Sequence, residues 1–330
     1  MRLVALVESA DHVCCRYRVA AFRPAFARAG FTLEISPLPR SWVACLRLFR
    51  TLRKADVVLL QRRLLPPLLV ASLRKHARFL IFDFDDAIWL RDSYSPKGIL
   101  SRKRCSRFQS IVAVADRVVA GNAYLADRAN ARGVVIPTCV DHARYPLADR
   151  THSGDTLVWI GSKSTQRGLE QFRPTLEAIG KSIPGIRLRL ISDTALSLTH
   201  LPIEFVPWSA EREAIALAGA DIGIAWVPDD PWSRGKCGLK LLQYMAAGLP
   251  VVANPVGVQA DMVRHGRTGY QAESTETWVT AIRRLAANAA LRRRLGAAGR
   301  ILVEESYSVD TGGKLWAELL AQVHPLAATA

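Results

Sequence analysis

Residues 229–256 read Asp-Asp-Pro-Trp-Ser-Arg-Gly-Lys-Cys-Gly-Leu-Lys-Leu-Leu-Gln-Tyr-Met-Ala-Ala-Gly-Leu-Pro-Val-Val-Ala-Asn-Pro-Val, a polar Gly/Pro loop followed by a helical pattern, a Gly-Leu-Pro stop and a β-branched run. A helix start near Gly238, Leu239 and Lys240 would present unpaired amides and the positive end of the helix dipole, a seat for phosphate or diphosphate. Gly235 and Gly238 would let the backbone approach such an anion, with Arg234 and Lys236 beside them. Lys240 and Gln243, three apart, share a helix face. The lysine would offset diphosphate charge, and the amide would hydrogen-bond ribose hydroxyls. An ordinary surface helix satisfies the same spacing, so the segment alone leaves both readings open.

A second cluster is Phe82-Asp83-Phe84-Asp85-Asp86-Ala87-Ile88-Trp89. Three carboxylates at a predicted strand end are costly without a task or a cation, although acidic residues there also cap helices. Asp11, His12, Arg16 and Arg18 follow the first predicted strand and are expected in a loop lining the same cleft.

Short apolar runs alternate with longer amphipathic stretches along the whole chain, the pattern of βα units on parallel sheets. Strands are predicted at 3–7, 32–35, 57–60, 79–83, 118–120 and 134–136, and again at 156–161, 186–191, 203–206, 222–226 and 250–253. The polar stretch 149–155 separates the sets as a linker. The fold class is therefore α/β, with two Rossmann-like, doubly wound domains, 1–150 and 151–330, facing a central cleft. Such sheets place ligands at the carboxyl ends of their strands. The last predicted helix, 311–323, is expected to cross back to the first domain. No apolar run approaches the roughly 18 residues of a membrane span, and the first residues lack the length and cleavage site of a signal peptide. The six cysteines show neither CxxC spacing nor a His companion at metal-ligand distance, so no metal site is expected and a reducing cytoplasm fits.

The run 238–252 resembles the donor-binding signature of GT-B glycosyltransferases of family 4 type, the group 1 glycosyl transferases. Those enzymes carry two glutamates eight positions apart. Here these positions hold Gly235 and Gln243, and Lys240 with Gln243 is similar to a subgroup with Lys-x-x-Glu or Lys-x-x-Gln. Gly161-Ser162-Lys163-Ser164-Thr165-Gln166-Arg167-Gly168 resembles the polar loop whose basic residue meets the donor phosphates, with Arg167 the first choice and Lys163 the second. The resemblance implies transfer of a sugar from a nucleoside-diphosphate donor to a hydroxyl, with retention and no required cofactor. Arg167, Lys240 and helix amides would stabilise the leaving diphosphate, and Asp85 or Asp86 would orient the acceptor. A sugar-nucleotide epimerase and a noncatalytic nucleotide-sugar or polyanion-binding protein are the alternatives. No GxGxxG or GxxxxGK[ST] supports a dinucleotide or ATP site.

The net charge is +16, and residues 1–150 hold 26 of the 45 basic but 12 of the 29 acidic residues, leaving +14 there and +2 in the rest. That asymmetry points the first half at an anionic partner, unless it serves solubility alone. The helical pattern at 41–54 sets Trp42, Cys45, Leu46, Phe49 and Leu52 against Arg47, Arg50, Arg53 and Lys54, and either packs on the sheet or lies in a membrane interface. With Lys97, Arg102, Lys103, Arg104 and Arg107, it extends the reading to a glycan or lipid-linked acceptor and peripheral attachment at an anionic inner membrane face. Nucleic acid is not the expected polyanion.

Overall fold

The computed structural model describes residues 1–147 and 154–323, except the side chains of 130–132. The expected linker lies outside the described residues but for Gly154 and Asp155. The chain forms two compact units. The first takes Met1–Cys139, Asp230–Cys237 and the chain from Val309 onward; the second takes Val140–Asp229 and Gly238–Ser308.

In the first unit, β1 (Arg2–Val7), β2 (Thr32–Pro37), β3 (Val57–Gln61), β4 (Phe79–Phe84), β5 (Arg117–Ala120) and β6 (Gly133–Val135) form one sheet in the order β2-β1-β3-β4-β5-β6. Every pairing is parallel. The central strands β3 and β4 are buried along their whole length, which is why their sequences are apolar runs and do not alternate. One face packs Leu60, Phe82 and Phe84 against Cys45, Phe49 and Phe108. The other packs Ala5, Leu59 and Ile81 against Phe22, Phe26 and Trp316. Trp316 comes from the C-terminal helix Val309–Ala321 and meets Phe26 edge-on at 5.4 Å.

The second unit repeats the plan with β7 (Thr156–Ile160), β8 (Arg187–Ser192), β9 (Ile203–Pro207), β10 (Ile222–Ala225), β11 (Val251–Ala253) and β12 (Gly269–Gln271), ordered β12-β11-β10-β7-β8-β9. All pairs are again parallel. The edge strand β12 is absent from the sequence reading, because Gly-Tyr-Gln offers one apolar residue and no period. The order reverses between β7 and β10, so the switch point of this sheet, where doubly wound folds bind ligands, lies at their carboxyl ends. Long helices Lys163–Ser182, Thr275–Ala286 and Ala289–Ser306 cover the sheet. Trp278 locks the first two together by packing edge-on to Phe172 at 4.6 Å. Among the described residues no helix is long and apolar enough to cross a membrane.

Two local expectations change. Val13–Arg18 is helical, not a loop: His12 caps it by accepting from the Cys14 amide at 3.2 Å, a role more often filled by Ser, Thr, Asp or Asn. In the helix Trp42–Thr51, Cys45 and Phe49 are buried, but Trp42 and Leu46 point to solvent, 48% and 37% exposed.

Candidate active site

The two strands at the switch point of the second unit each deliver a helix start. After β7, Gly161 and Ser162 lead into the helix Lys163–Ser182. A Cβ on Gly161 would lie 2.6 Å from both Thr165 Oγ1 and the Trp159 ring, so this turn has no room for a side chain. The polar glycine loop expected over 161–168 is therefore two residues long. Lys163 and Arg167 stand on the first turns of a helix instead, both exposed. The Lys163 amide donates to Asp193 Oδ1 at 2.6 Å, and the Ser162 and Ser164 hydroxyls are 2.9 Å apart.

After β10 the chain reaches the helix Leu239–Ala246 through Gly238, whose φ of +68° is left-handed. A Cβ there would be strained and would also lie 2.7 Å from Met262 Sδ. Neither a side-chain cap nor an acidic residue occupies the first turn, so the start of this helix keeps its positive end. Lys240, its second residue, holds its ammonium 4.9 Å from the centre of the Trp159 ring of β7, linking the two strands that flank the switch point. Gln243 is buried and donates through Nε2 to Tyr145 Oη at 3.3 Å.

Arg234 and Lys236, expected beside the diphosphate, fall in the segment Asp230–Cys237 and hence in the first unit. Arg234 is exposed. Lys236 Nζ sits 2.9 Å from Asp86 Oδ1 and 4.8 Å from the centre of the Trp232 ring. Burial opposes the ammonium charge, but Asp86 outweighs it and raises the Lys236 pKa. Gly235 answers a packing need: a Cβ would lie 2.9 Å from Ala87 Cβ and 3.0 Å from Leu125 Cδ2. Asn122 Nδ2 secures the segment by donating to the carbonyls of Gly235 and Lys236 at 3.3 and 3.2 Å.

The three carboxylates of the first unit divide. Asp83 lies within β4 and is wholly buried, paired with the equally buried Arg18. Arg18 also donates to the Ile136 carbonyl at 2.6 Å. Arg18 is therefore a core residue, not the cleft residue the sequence implied. Asp85 and Asp86 follow β4 and face Arg62, at the end of β3: Nη1 to Asp85 Oδ1 is 3.5 Å, and Nη2 to Asp86 Oδ2 is 2.8 Å. Burial would raise the Asp85 pKa, but Arg62, Arg18, a hydrogen bond from Cys14 and Lys236 together hold it below the usual carboxylate value. Cys237 donates to the Asp85 carbonyl at 3.2 Å, and burial pushes its thiol well up. Of the remaining residues expected here, Asp11 is exposed, His12 is a cap, and Arg16 lies 5.4 Å from the Tyr17 ring centre. Arg62 was not singled out by the sequence reading. Among the described residues no group of three or more His, Cys, Asp or Glu could hold a metal ion.

Residues 154–288, most of the second unit, match the model of the domain described as Glycosyl transferases group 1. No curated protein matches the chain. Among solved structures the fold is similar to a sucrose-phosphate synthase from Thermosynechococcus elongatus, with a TM-score of 0.76 and 17% identity over 98% of this chain and 99% of that one. It is also similar to HepE of Anabaena in complex with UDP and glucose, at 0.72 and 14% over 98% and 100%. A glycosyltransferase from Rickettsia africae gives 0.73 and 13% over 98% of both chains. The architecture is thus GT-B: two α/β units, each built on a six-stranded parallel sheet.

Proposed function

We propose that this chain transfers a sugar from a nucleoside-diphosphate donor to an acceptor hydroxyl, with retention at the anomeric carbon. The observation that carries the reading is the helix start at Gly238, which has no side-chain cap or first-turn acid and sets Lys240 over Trp159 at the switch point of a group 1 domain. The diphosphate accepts from the first-turn amides and meets Lys240, with Arg167 and Lys163 approaching from the helix after β7. Charge that develops on the departing diphosphate is met by donors already in place, so the barrier falls without reorganisation. Bound UDP in the HepE structure supports a uridine donor as the first choice.

A thermal-shift panel of UDP, GDP, ADP and their sugars tests this. A ligand at a hundred times its Kd adds about 2.7 kcal/mol of stability, enough to raise the unfolding transition by several degrees. No stabilisation by any of them would sink the reading.

The acceptor side of the proposal rests on the first unit. Asp85 and Asp86 receive the acceptor, and the exposed Trp42, Val43 and Leu46, beside exposed Arg40, Arg47 and Arg50, dock on an anionic membrane that carries it. Apolar insertion and roughly 1 kcal/mol per basic residue near anionic lipid would add on this one face. In vesicle flotation at physiological salt, the chain should float with phosphatidylglycerol vesicles and not with phosphatidylcholine alone. The double variant Trp42→Ser, Leu46→Ser should lose most of that binding. Equal flotation with both lipids, or an unaffected variant, argues against membrane attachment here.

A further inference from the structure

Arg62 is the only non-glycine residue with positive φ among the described residues, at +46°. Arginine has a Cβ, so this left-handed backbone is strained, and such strain persists only where the surroundings over-determine it. They do so here. The Arg62 amide donates to the Asp83 carbonyl at 2.7 Å, fixing the turn out of β3 against β4. The side chain then reaches three partners: Asp85, Asp86 and Cys14 Sγ. An arginine leaving β3 in an ordinary extended conformation would aim elsewhere. The strained φ therefore selects the one guanidinium that faces both carboxylates following β4.

The two carboxylates are unequally satisfied. Asp86 has an oxygen on Arg62 at 2.8 Å and the other on Lys236 at 2.9 Å. Asp85 Oδ1 is buried and makes no hydrogen bond, with Arg62 Nη1 at 3.5 Å as its ionic partner. Sheet order sharpens the placement, because β1 and β3 flank the point where the first sheet reverses, and β4 is next to β3. Arg62 and the two carboxylates thus stand at the strand ends where a doubly wound sheet presents ligands.

We propose that Arg62 is the positioning residue of the acceptor side: its strained backbone aims the guanidinium so that Asp85 and Asp86 stay oriented to accept hydrogen bonds from a polyhydroxylated acceptor. The inference rests on the glycosyltransferase reading for its part in turnover. The charged and titratable groups around Asp85 are Arg18 and Cys14 of the helix Val13–Arg18, Asp83 of β4, Asp86 beside it, Arg62 after β3, and Lys236 and Cys237 of the segment Asp230–Cys237. Without Arg62, burial and the neighbouring acids raise the Asp85 pKa against Arg18, the Cys14 hydrogen bond and Lys236 alone, so the ionised form requires a higher pH.

The test compares the full chain with Arg62→Met and Arg62→Lys. Carboxyl 13C NMR follows Asp85 and Asp86, calorimetry follows UDP affinity, and UDP-glucose hydrolysis, with water as the acceptor probe, follows turnover. In Arg62→Met, Asp85 should titrate at a higher pH than in the parent. Hydrolysis should lose its acid-side activity and recover as pH rises, with UDP affinity unchanged. Arg62→Lys should restore part of the low-pH turnover and keeps the test open if the Met variant fails to fold. Titration and pH profile matching the parent in either folded variant overturn the proposal. If the parent binds no nucleotide, the donor reading fails, and the carboxyl titration still decides whether Arg62 holds the pair.

Discussion

Arg18→Met should destabilise the first unit by about 3–5 kcal/mol at neutral pH, because it leaves Asp83 without its countercharge in a fully buried site. Removing one member of a buried pair costs far more than the pair contributes, since the remaining charge keeps its desolvation penalty. The Ile136 carbonyl also loses its guanidinium donor. The effect carries a pH signature. Burial raises the Asp83 pKa above its ordinary 3.8 even with Arg18 opposing it, and the variant raises it further. A carboxyl whose folded pKa is raised favours the folded state below its unfolded value, and that benefit is lost as pH climbs through the folded value. The deficit of the variant relative to the parent should therefore be small near pH 4 and grow toward neutrality. Because a two-unit chain need not unfold in one step, hydrogen exchange at the β4 amides is the proper readout. Equal protection in both proteins at pH 7 would mean that Asp83 does not depend on Arg18.

The contrast between this pair and the donor-side helix shows what sequence can carry. The helix start at Gly238 is readable because every signal for it is local: a Gly/Pro loop, an apolar stripe, and a Gly-Leu-Pro stop within twenty-odd residues. Most strands are equally legible, since strands buried on both faces of a parallel sheet must be continuous apolar runs. Arg18 looked like a solvent-facing residue because its partner lies 65 positions away, and only the fold of β4 beside it creates the buried site. Lys236 was assigned to the diphosphate by proximity to Lys240, but its acid is 150 positions distant, just after β4. Arg62 is harder still. Its role depends on a backbone angle set by tertiary packing, and nothing in Leu-Gln-Arg-Arg-Leu announces a left-handed residue. Gly235 shows the converse: a glycine read as room for a ligand is room for Ala87 and Leu125.

Lys240→Ala should weaken UDP binding about ten- to hundredfold while leaving uridine binding unchanged. A charge-assisted contact to phosphate contributes about 1.5–3 kcal/mol, and each 1.4 kcal/mol is tenfold in affinity. The Lys240 ammonium lies over the Trp159 ring, at the switch point. Alanine keeps the helix, for which it has the best propensity, so the first-turn amides and their dipole remain to hold residual diphosphate affinity. Lys240→Arg retains the charge in a planar, longer group and should fall between the two. Uridine is the control that separates the roles: it offers base and ribose but no diphosphate. Loss of uridine binding in Lys240→Ala would mean that the site had collapsed. Loss of neither ligand would move the diphosphate away from this helix. Selective loss of UDP, read by calorimetry, ties the anion to the second residue of the helix, where the leaving group of a glycosyl transfer needs a positive charge at the moment the sugar departs.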